Sequence, residues 1–426
     1  MSDSTSDARV LGFVEALVVV MGHTAAVGLP ETEKLYLLAS AGRVLAENLL
    51  ADRDQPPFDR STRDGFAVRA VEWSAGHKLR IVGQVRAGEV WAEGEVQAGC
   101  AVEIMTGAAV PQGVDAVVMI EHVEQGGSEV WAAAERSLRA GENVVPRGSE
   151  ARRGEALLTV GAMIEASEIA LAAACGRVEL SVYRRPLVAI VATGDELVEL
   201  DQTPDAYQIR NSNSYALAAM VEAAGGQAAR LRIARDTLTD LRERISEGRA
   251  SEILLLSGGV SAGKYDFVEE VLAEFGAEFF FTGVRMQPGK PVVFGRLPAR
   301  ASADQRVSES EGQREWMYFF GLPGNPVSTQ VTFHCFVEPM LRAMCGAGIE
   351  GPKFVQATLA EDVKGKTGLT RLLPAFLRYD LERPDVRLVG WQGSGDLAAN
   401  VRANCFAVLP DGRDLKAGDV ISVLLR

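Results

Sequence analysis

The chain has 426 residues, 47% hydrophobic and 24% charged, the make-up of a globular protein long enough for roughly two to four domains. Its net charge of −13 argues against a generic nucleic-acid or anionic-membrane surface. It does not exclude a small anion, which local cations and backbone amides can receive inside an acidic protein.

In chain order, the polar start MSDSTSDARV lacks the basic and apolar regions of a signal peptide. VLGFVEALVVVMG and ETEKLYLLASAGRVLAENLL space apolar residues three and four apart, which predicts helices across residues 10–50. ADRDQPPFDRSTRDGFAV breaks that pattern: Pro56 and Pro57 exclude a helix, and Asp64-Gly65 reads as a turn. LRIVGQVRAG, CAVEIMTGAAVP, DAVVMIEHVEQ and SEVWAAAE predict short strands over residues 66–145. An irregular basic stretch containing Arg147, Arg152 and Arg153 follows. EASEIALAAACG then predicts a helix stopped by Gly176. Residues 186–346 alternate strand and helix, the signature of a mostly parallel sheet covered on both faces. Residues 298–315, rich in Ser, Glu and Gln, read as a mobile hairpin insertion. The last 80 or so residues return to short strands, expected to form a small barrel. No apolar run reaches the roughly 20 residues of a membrane span. Five dispersed cysteines without a CxxC pair point to reduced thiols and a cytoplasmic location. Four histidines without HxH or HExxH spacing give no zinc signature.

The chemistry is concentrated where strands of the alternating region end. One runs into Thr193-Gly194-Asp195-Glu196, a second into Ser257-Gly258-Gly259-Val260-Ser261, a third into Gly321-Leu322-Pro323-Gly324-Asn325-Pro326. Open α/β sheets bind ligands at that edge, and glycines there let backbone amides and helix N-termini approach a phosphate. The spacing is neither GxxxxGK[ST] nor GxGxxG, so ordinary ATPase and dinucleotide readings lose their support. Asp195, Glu196, Asp236 and Asp266 fall in these loops or at helix starts. N-capping is the alternative account of such acids, strongest for Asp236 in RDTLTDL, fair for Asp266 and weaker for Glu196, which follows Asp195 in a tight loop. Clustered acids near a phosphate would suit Mg²⁺. Lys290 in MQPGK sits between two prolines and is the best direct anion contact. Asp64 and Thr106 read locally as turn residues only.

Taken together, FDRSTRDGFAV, EIMTGAAVP, VAIVATGDEL, LSGGVSAGKYDF, MQPGKPVVFG and FFGLPGNPVS resemble, in order and spacing, the molybdopterin molybdenumtransferases. These are the bacterial MoeA proteins and the related domain of gephyrin, and the resemblance runs from about residue 10 to the end. It implies an α/β multidomain architecture in four parts. These are an elongated N-terminal domain (1–55 and 146–185), a β-rich inserted domain (56–145), a doubly wound molybdopterin-binding domain (186–346) and a C-terminal β-barrel (347–426). It implies a homodimer whose cleft lies between the α/β domain of one subunit and the β-rich insertion of the other, which gives Asp64 and Thr106 a role. It further implies insertion of molybdate into the dithiolene of adenylylated molybdopterin, with release of AMP and a need for Mg²⁺. The resemblance implies catalytic roles for Asp64, Thr106, Glu196 and Lys290. Substrate contacts would fall to Ser257, Gly258, Gly259, Ser261, Asp236, Pro323, Gly324, Asn325, Pro326, Arg371, Ser394 and Glu150. The metal would be held by Asp64, Glu196 and Asp266, without a distinction between acids that bind metal and acids that orient water. Other cofactor-biosynthesis proteins are conceivable partners.

This chain departs from many members in having Gln287 for Lys, in Gly148-Ser149-Glu150 for Gly-Glu-Asp, and in the 298–315 insertion. Molybdopterin adenylyltransferase shares the SGG-type domain but not the DGFAV and MTG segments. A scaffold built on this fold would be expected to lose Asp64 or Glu196. Tungstate, which differs little from molybdate in size and charge, is the alternative substrate.

Overall fold

The structure, a computed structural model, describes residues 9–134, 137–259, 267–299, 316–379 and 382–426. Ser261, Asp266 and the 298–315 insertion beyond residue 299 therefore lie outside the described residues. The chain divides into two compact units, one of residues 1–34, 42–46 and 181–426, the other of residues 35–41 and 47–180.

The first unit opens with strand β1 (Val10–Gly12) and helix α1 (Phe13–Thr24). Its α/β region comprises β2 (Leu187–Ala192), α2 (Asn213–Ala223), β3 (Gln227–Arg230), α3 (Leu238–Gly248), β4 (Ile253–Ser257), α4 (Val268–Glu274), β5 (Glu278–Phe281), β6 (Gly283–Gln287), β7 (Val293–Pro298) and β8 (Trp316–Leu322). Helix α5 (Pro326–Thr332) continues through a π-helical turn, Phe333–Val337, into α6 (Glu338–Met344). Six strands form one sheet in the order β3-β2-β4-β8-β7-β5, the first four parallel. β2 and β4 are apolar without alternation because both of their faces are covered. Alternate residues feed two different cores. Val188, Ile190 and Leu255 pack with Leu217 and Val221 of α2, while Ala189, Val191 and Leu254 pack with Leu241 and Ile245 of α3. The chain leaves β2 to build β3 on one side and later β4 on the other, a reversal of strand order that opens a crevice at the carboxyl edge.

β6 does not join that sheet. It pairs in parallel with β1 and with β10 (Thr370–Arg378), setting Gln287 opposite Arg371. β10 belongs to the C-terminal strands, with β9 (Phe354–Leu359), β11 (Asp385–Leu388), β12 (Cys405–Leu409) and β13 (Val420–Leu425); helix α7 (Leu397–Arg402) precedes β12. The order β10-β11-β9-β13-β12, with β12 pairing back onto β10, closes five strands into the expected barrel.

One expectation is corrected. Residues 31–50 are not a helix: Thr32–Tyr36 is a strand, Leu37–Ser40 a 3-10 turn, and Gly42 sits at φ 74°. The apolar spacing there serves backbone pairing, with Ala46 N donating to Ser181 O at 2.9 Å and Leu45 bridging Val182. Tertiary pairing overrides helical periodicity in so short a stretch.

The second unit is built on a six-stranded sheet in the order Ala116–Met119, Gly65–Val68, Cys100–Ile104, Leu79–Val85, Glu129–Ala132 and Val123–Gly126. Gly65 opens a fully buried strand and is not merely a turn residue; it pairs with both Ile104 and Met119. The expected helix is Ala166–Ala174, followed by Gly176 at φ 70°.

Candidate active site

A cleft of about 760 Å³ opens at the carboxyl edge of β2, β4 and β8. The three loops foreseen from sequence line it through Glu196, Ser257, Gly258, Gly259, and Pro323 to Pro326. The loops are tied together by backbone bonds. Thr193 N donates to Ser257 O at 3.0 Å, and Gly258 N to Leu322 O at 3.1 Å. Gly258 has φ 94°, and a Cβ there would lie 2.6 Å from Thr193 O, so only glycine permits this approach. Pro326 begins α5 directly after Asn325, and both residues line the cleft.

Glu196 is positioned by its surroundings. A Cβ on Gly194 would lie 2.5 Å from Glu196 Oε2, so the carboxylate folds back over a glycine that leaves it room. Its carbonyl accepts from Ile209 N at 2.8 Å, and Leu197–Val198 pairs with Ile209–Arg210. Asp236 is not the cap of α3. Thr237 holds that position and accepts from Asp240 N at 3.3 Å. Asp236 Oδ1 instead accepts the Thr193 hydroxyl at 2.8 Å and lines the cleft, which favours the ligand reading over the capping one.

Sequence reasoning missed Asn213. Its Nδ2 donates to Ser257 Oγ at 3.0 Å and to Gly324 O at 2.7 Å, bridging two of the cleft's loops from the start of α2. The NSN tripeptide opening a helix was the available signal. Because Ser257 Oγ accepts from Asn213, its own proton is free for a ligand oxygen. Asn213→Ala should cost about 1–2 kcal/mol of stability for the two lost bonds. It should also raise amide exchange at Gly258 and Gly324, read by melting and by hydrogen-exchange mass spectrometry.

Ser394 sits beside this cleft: Val327 N donates to Ser394 O at 2.9 Å, and the neighbouring Gly395 and Leu397 line the wall. Lys290 is exposed and precedes Pro291, another lining residue. Arg371 lies on the barrel opposite Gln287.

Three foreseen residues belong to the second unit. Asp64 Oδ1 accepts both from Thr106 N, at 2.6 Å, and from Thr106 Oγ1, at 2.8 Å. The amide first and the hydroxyl second hold the Asp64 carboxyl below its ordinary pKa. A carboxyl depressed in the fold stabilises above its unfolded pKa, and that contribution is lost as pH falls through the folded value. Thr106→Val should therefore raise the Asp64 pKa toward the ordinary range, with the amide bond still in place, and NMR titration of the carboxyl carbon checks it. Glu150 pairs with Arg60 at 3.1 Å.

The fold and site define a protein with a doubly wound α/β domain whose cleft lies at the carboxyl edge of its sheet, in a chain that also carries a β-barrel and a second, β-rich unit. Residues 11–176 match the MoeA N-terminal region (domain I and II), 189–343 the probable molybdopterin binding domain, and 356–425 the MoeA C-terminal region (domain IV). The chain belongs to the MoeA family of molybdopterin molybdenumtransferases, enzymes of molybdenum cofactor biosynthesis. It is 32% identical over 393 residues to the molybdopterin molybdenumtransferase of Staphylococcus aureus (strain Mu50), covering 91% of this chain and 89% of that one. It is 35% identical over 410 residues to that of Nostoc sp. (strain PCC 7120), covering 92% and 88%. The crystal structure of the molybdopterin biosynthesis MoeA protein from Pyrococcus horikoshii OT3 superposes with a TM-score of 0.76 at 25% identity, covering 98% and 100%.

Proposed function

We propose that this chain inserts molybdate into the dithiolene of adenylylated molybdopterin and releases AMP, as a cytoplasmic homodimer using Mg²⁺. The observation that carries the reading is the cleft itself, with three glycine- or proline-bearing loops on one sheet edge and Glu196 and Asp236 in its walls. No helix among the described residues is long and apolar enough to cross a membrane.

Water adds to one phosphorus as the P–O bond of the anhydride breaks, giving AMP and the pterin phosphate. The two dithiolene sulfurs replace oxygen on molybdenum, and that oxygen leaves as water. In this reading the Gly259 amide binds a phosphate oxygen, the Ser257 hydroxyl donates to one, and Lys290 offsets charge. Asn325 and Pro326 fix the loop that ends β8, Arg371 and Ser394 border the oxyanion, and Glu150 and Thr106 position their neighbours. Among the described residues that line the cleft, the metal-ligating side chains are the carboxylates of Glu196 and Asp236 with hydroxyl and amide oxygens and no Cys or His, a hard-donor set that fits Mg²⁺, beside the cation Arg210. Glu196, with Asp64 and Asp266, would hold it, and when bound it would neutralise charge on the anhydride.

Purified protein given adenylylated molybdopterin, molybdate and Mg²⁺ should release AMP and activate an apo-molybdoenzyme. A folded dimer that retains the nucleotide and releases none would point to a binding or scaffold role. Mixing Asp64→Ala with Glu196→Ala subunits should restore activity if the cleft is shared between subunits; mixtures as inactive as their parents would place both residues within one subunit's site.

A further inference from the structure

Lys366 occupies a loop just before β10, far in sequence from MQPGK. Its Nζ nevertheless lies 3.2 Å from Gln287 Oε1. Gln287 is the last residue of β6 and the register partner of Arg371 on β10. An ammonium only donates, so it fixes the amide with its oxygen toward Lys366 and leaves both Nε2 hydrogens for another acceptor.

The charges around this point are unbalanced. Acids on the facing loop are already engaged. Asp414 takes Lys364 Nζ at 3.2 Å and Gly365 N at 2.7 Å, and Asp411 takes Gly368 N at 2.7 Å. Among the described residues no carboxylate pairs with Lys366, Arg371 or Lys290, although the protein carries a net charge of −13. Arg371 donates to the carbonyl of Lys364, and burial makes its charged form costlier than usual, the condition of a cation that gains most from an anion. Lys366 rests on a neutral amide, whereas Lys364 two residues earlier pairs with Asp414. The spot thus offers an ammonium, a carboxamide NH₂ and a guanidinium, all donors, from two chain segments, β6 and the stretch that runs into β10.

We propose that Lys366, held over Gln287, is a substrate-binding residue that supplies the positive charge for a tetrahedral oxyanion at the junction of β6 and the barrel. The inference deepens the reading given under Proposed function and rests on it for the identity of the anion. Molybdate and the substrate's own phosphate share the required chemistry, and the experiment separates them.

Calorimetry with molybdate and with inorganic phosphate, on wild type, on Lys366→Ala, and on Lys366→Ala combined with Gln287→Lys, needs no turnover. Loss of one charge-assisted bond should weaken Kd about tenfold in Lys366→Ala, and moving the cation onto the strand in the double variant should restore it. An effect on molybdate alone assigns the site to the metal oxyanion, and an effect on phosphate alone assigns it to the pterin's phosphate. Equal binding by wild type and Lys366→Ala, binding by neither, or failure of Gln287→Lys to rescue would overturn the proposal. Lys366 is exposed, so folding is not at stake, and melting of each variant verifies that. Lys366-dependent binding by a wild type that releases no AMP would instead sink the proposed reaction and leave this inference standing.

Discussion

Replacing Glu196 with glutamine is expected to lower AMP release about 10²-fold or more while leaving AMP binding within about twofold of wild type. The change is isosteric, so it removes charge and little else. Two features argue that shape survives. The side chain folds over Gly194, and its carbonyl is fixed by Ile209 N at 2.8 Å. What is lost is the charge of a side chain that lines the cleft together with the glycine and proline loops. If the carboxylate serves the cation, raising Mg²⁺ should recover part of the rate; if it orients water, the rate should ignore Mg²⁺. Gly194→Ala is the steric control, because its Cβ would press on the carboxylate at 2.5 Å and should cost activity with the charge intact. A Glu196→Gln enzyme with wild-type turnover would remove Glu196 from the reaction.

The sequence was most readable where one physical cause acted alone. Uninterrupted apolar strands ending on glycine, as at Leu254 to Gly259, told both the burial of the sheet and the edge where a ligand would sit, and the cleft lies there. Reading failed where a distant partner decided. The apolar spacing of residues 31–50 suited a helix, yet segment 178–182 supplies backbone partners for Leu37 and Ala46 and draws it out. Asp236 looked like a cap because only the hydroxyl of Thr193, 43 positions away in sequence, shows that it faces the cleft. Gln287 looked like a missing charge. That Lys366 reaches it depends on β6 pairing with β10 of the barrel and not with the α/β sheet, a choice no local pattern encodes. Asn213 carried no signal beyond its tripeptide, since its two acceptors lie on loops 44 and 111 residues distant.

Gly65→Ala should be the most disruptive single methyl in the second unit. The DG pair suggested a turn, but Gly65 starts a strand flanked on both sides, by Ile104 and by Met119. A Cβ there would fall 1.8 Å from Val118 O and 2.9 Å from Val118 C, and both are backbone atoms that no rotamer change can move. Strand Ala116–Met119 would have to separate from Gly65–Val68, breaking a ladder whose inward residues, Phe66 and Val118, are core. Overpacking of this kind costs about 3 kcal/mol or more where the backbone must yield. For a unit of this size that corresponds to a fall in melting temperature of about 10 °C. The effect should reach the adjacent residue, because Ile120 N bonds Asp64 O at 3.1 Å and Asp64 in turn holds Thr106. Strand displacement would pull that carbonyl from its donor and release the carboxylate toward its ordinary pKa. Melting and NMR titration on the same sample test both parts. A variant that melts with wild type and retains a depressed Asp64 would show that the sheet absorbs a methyl where the backbone leaves no room.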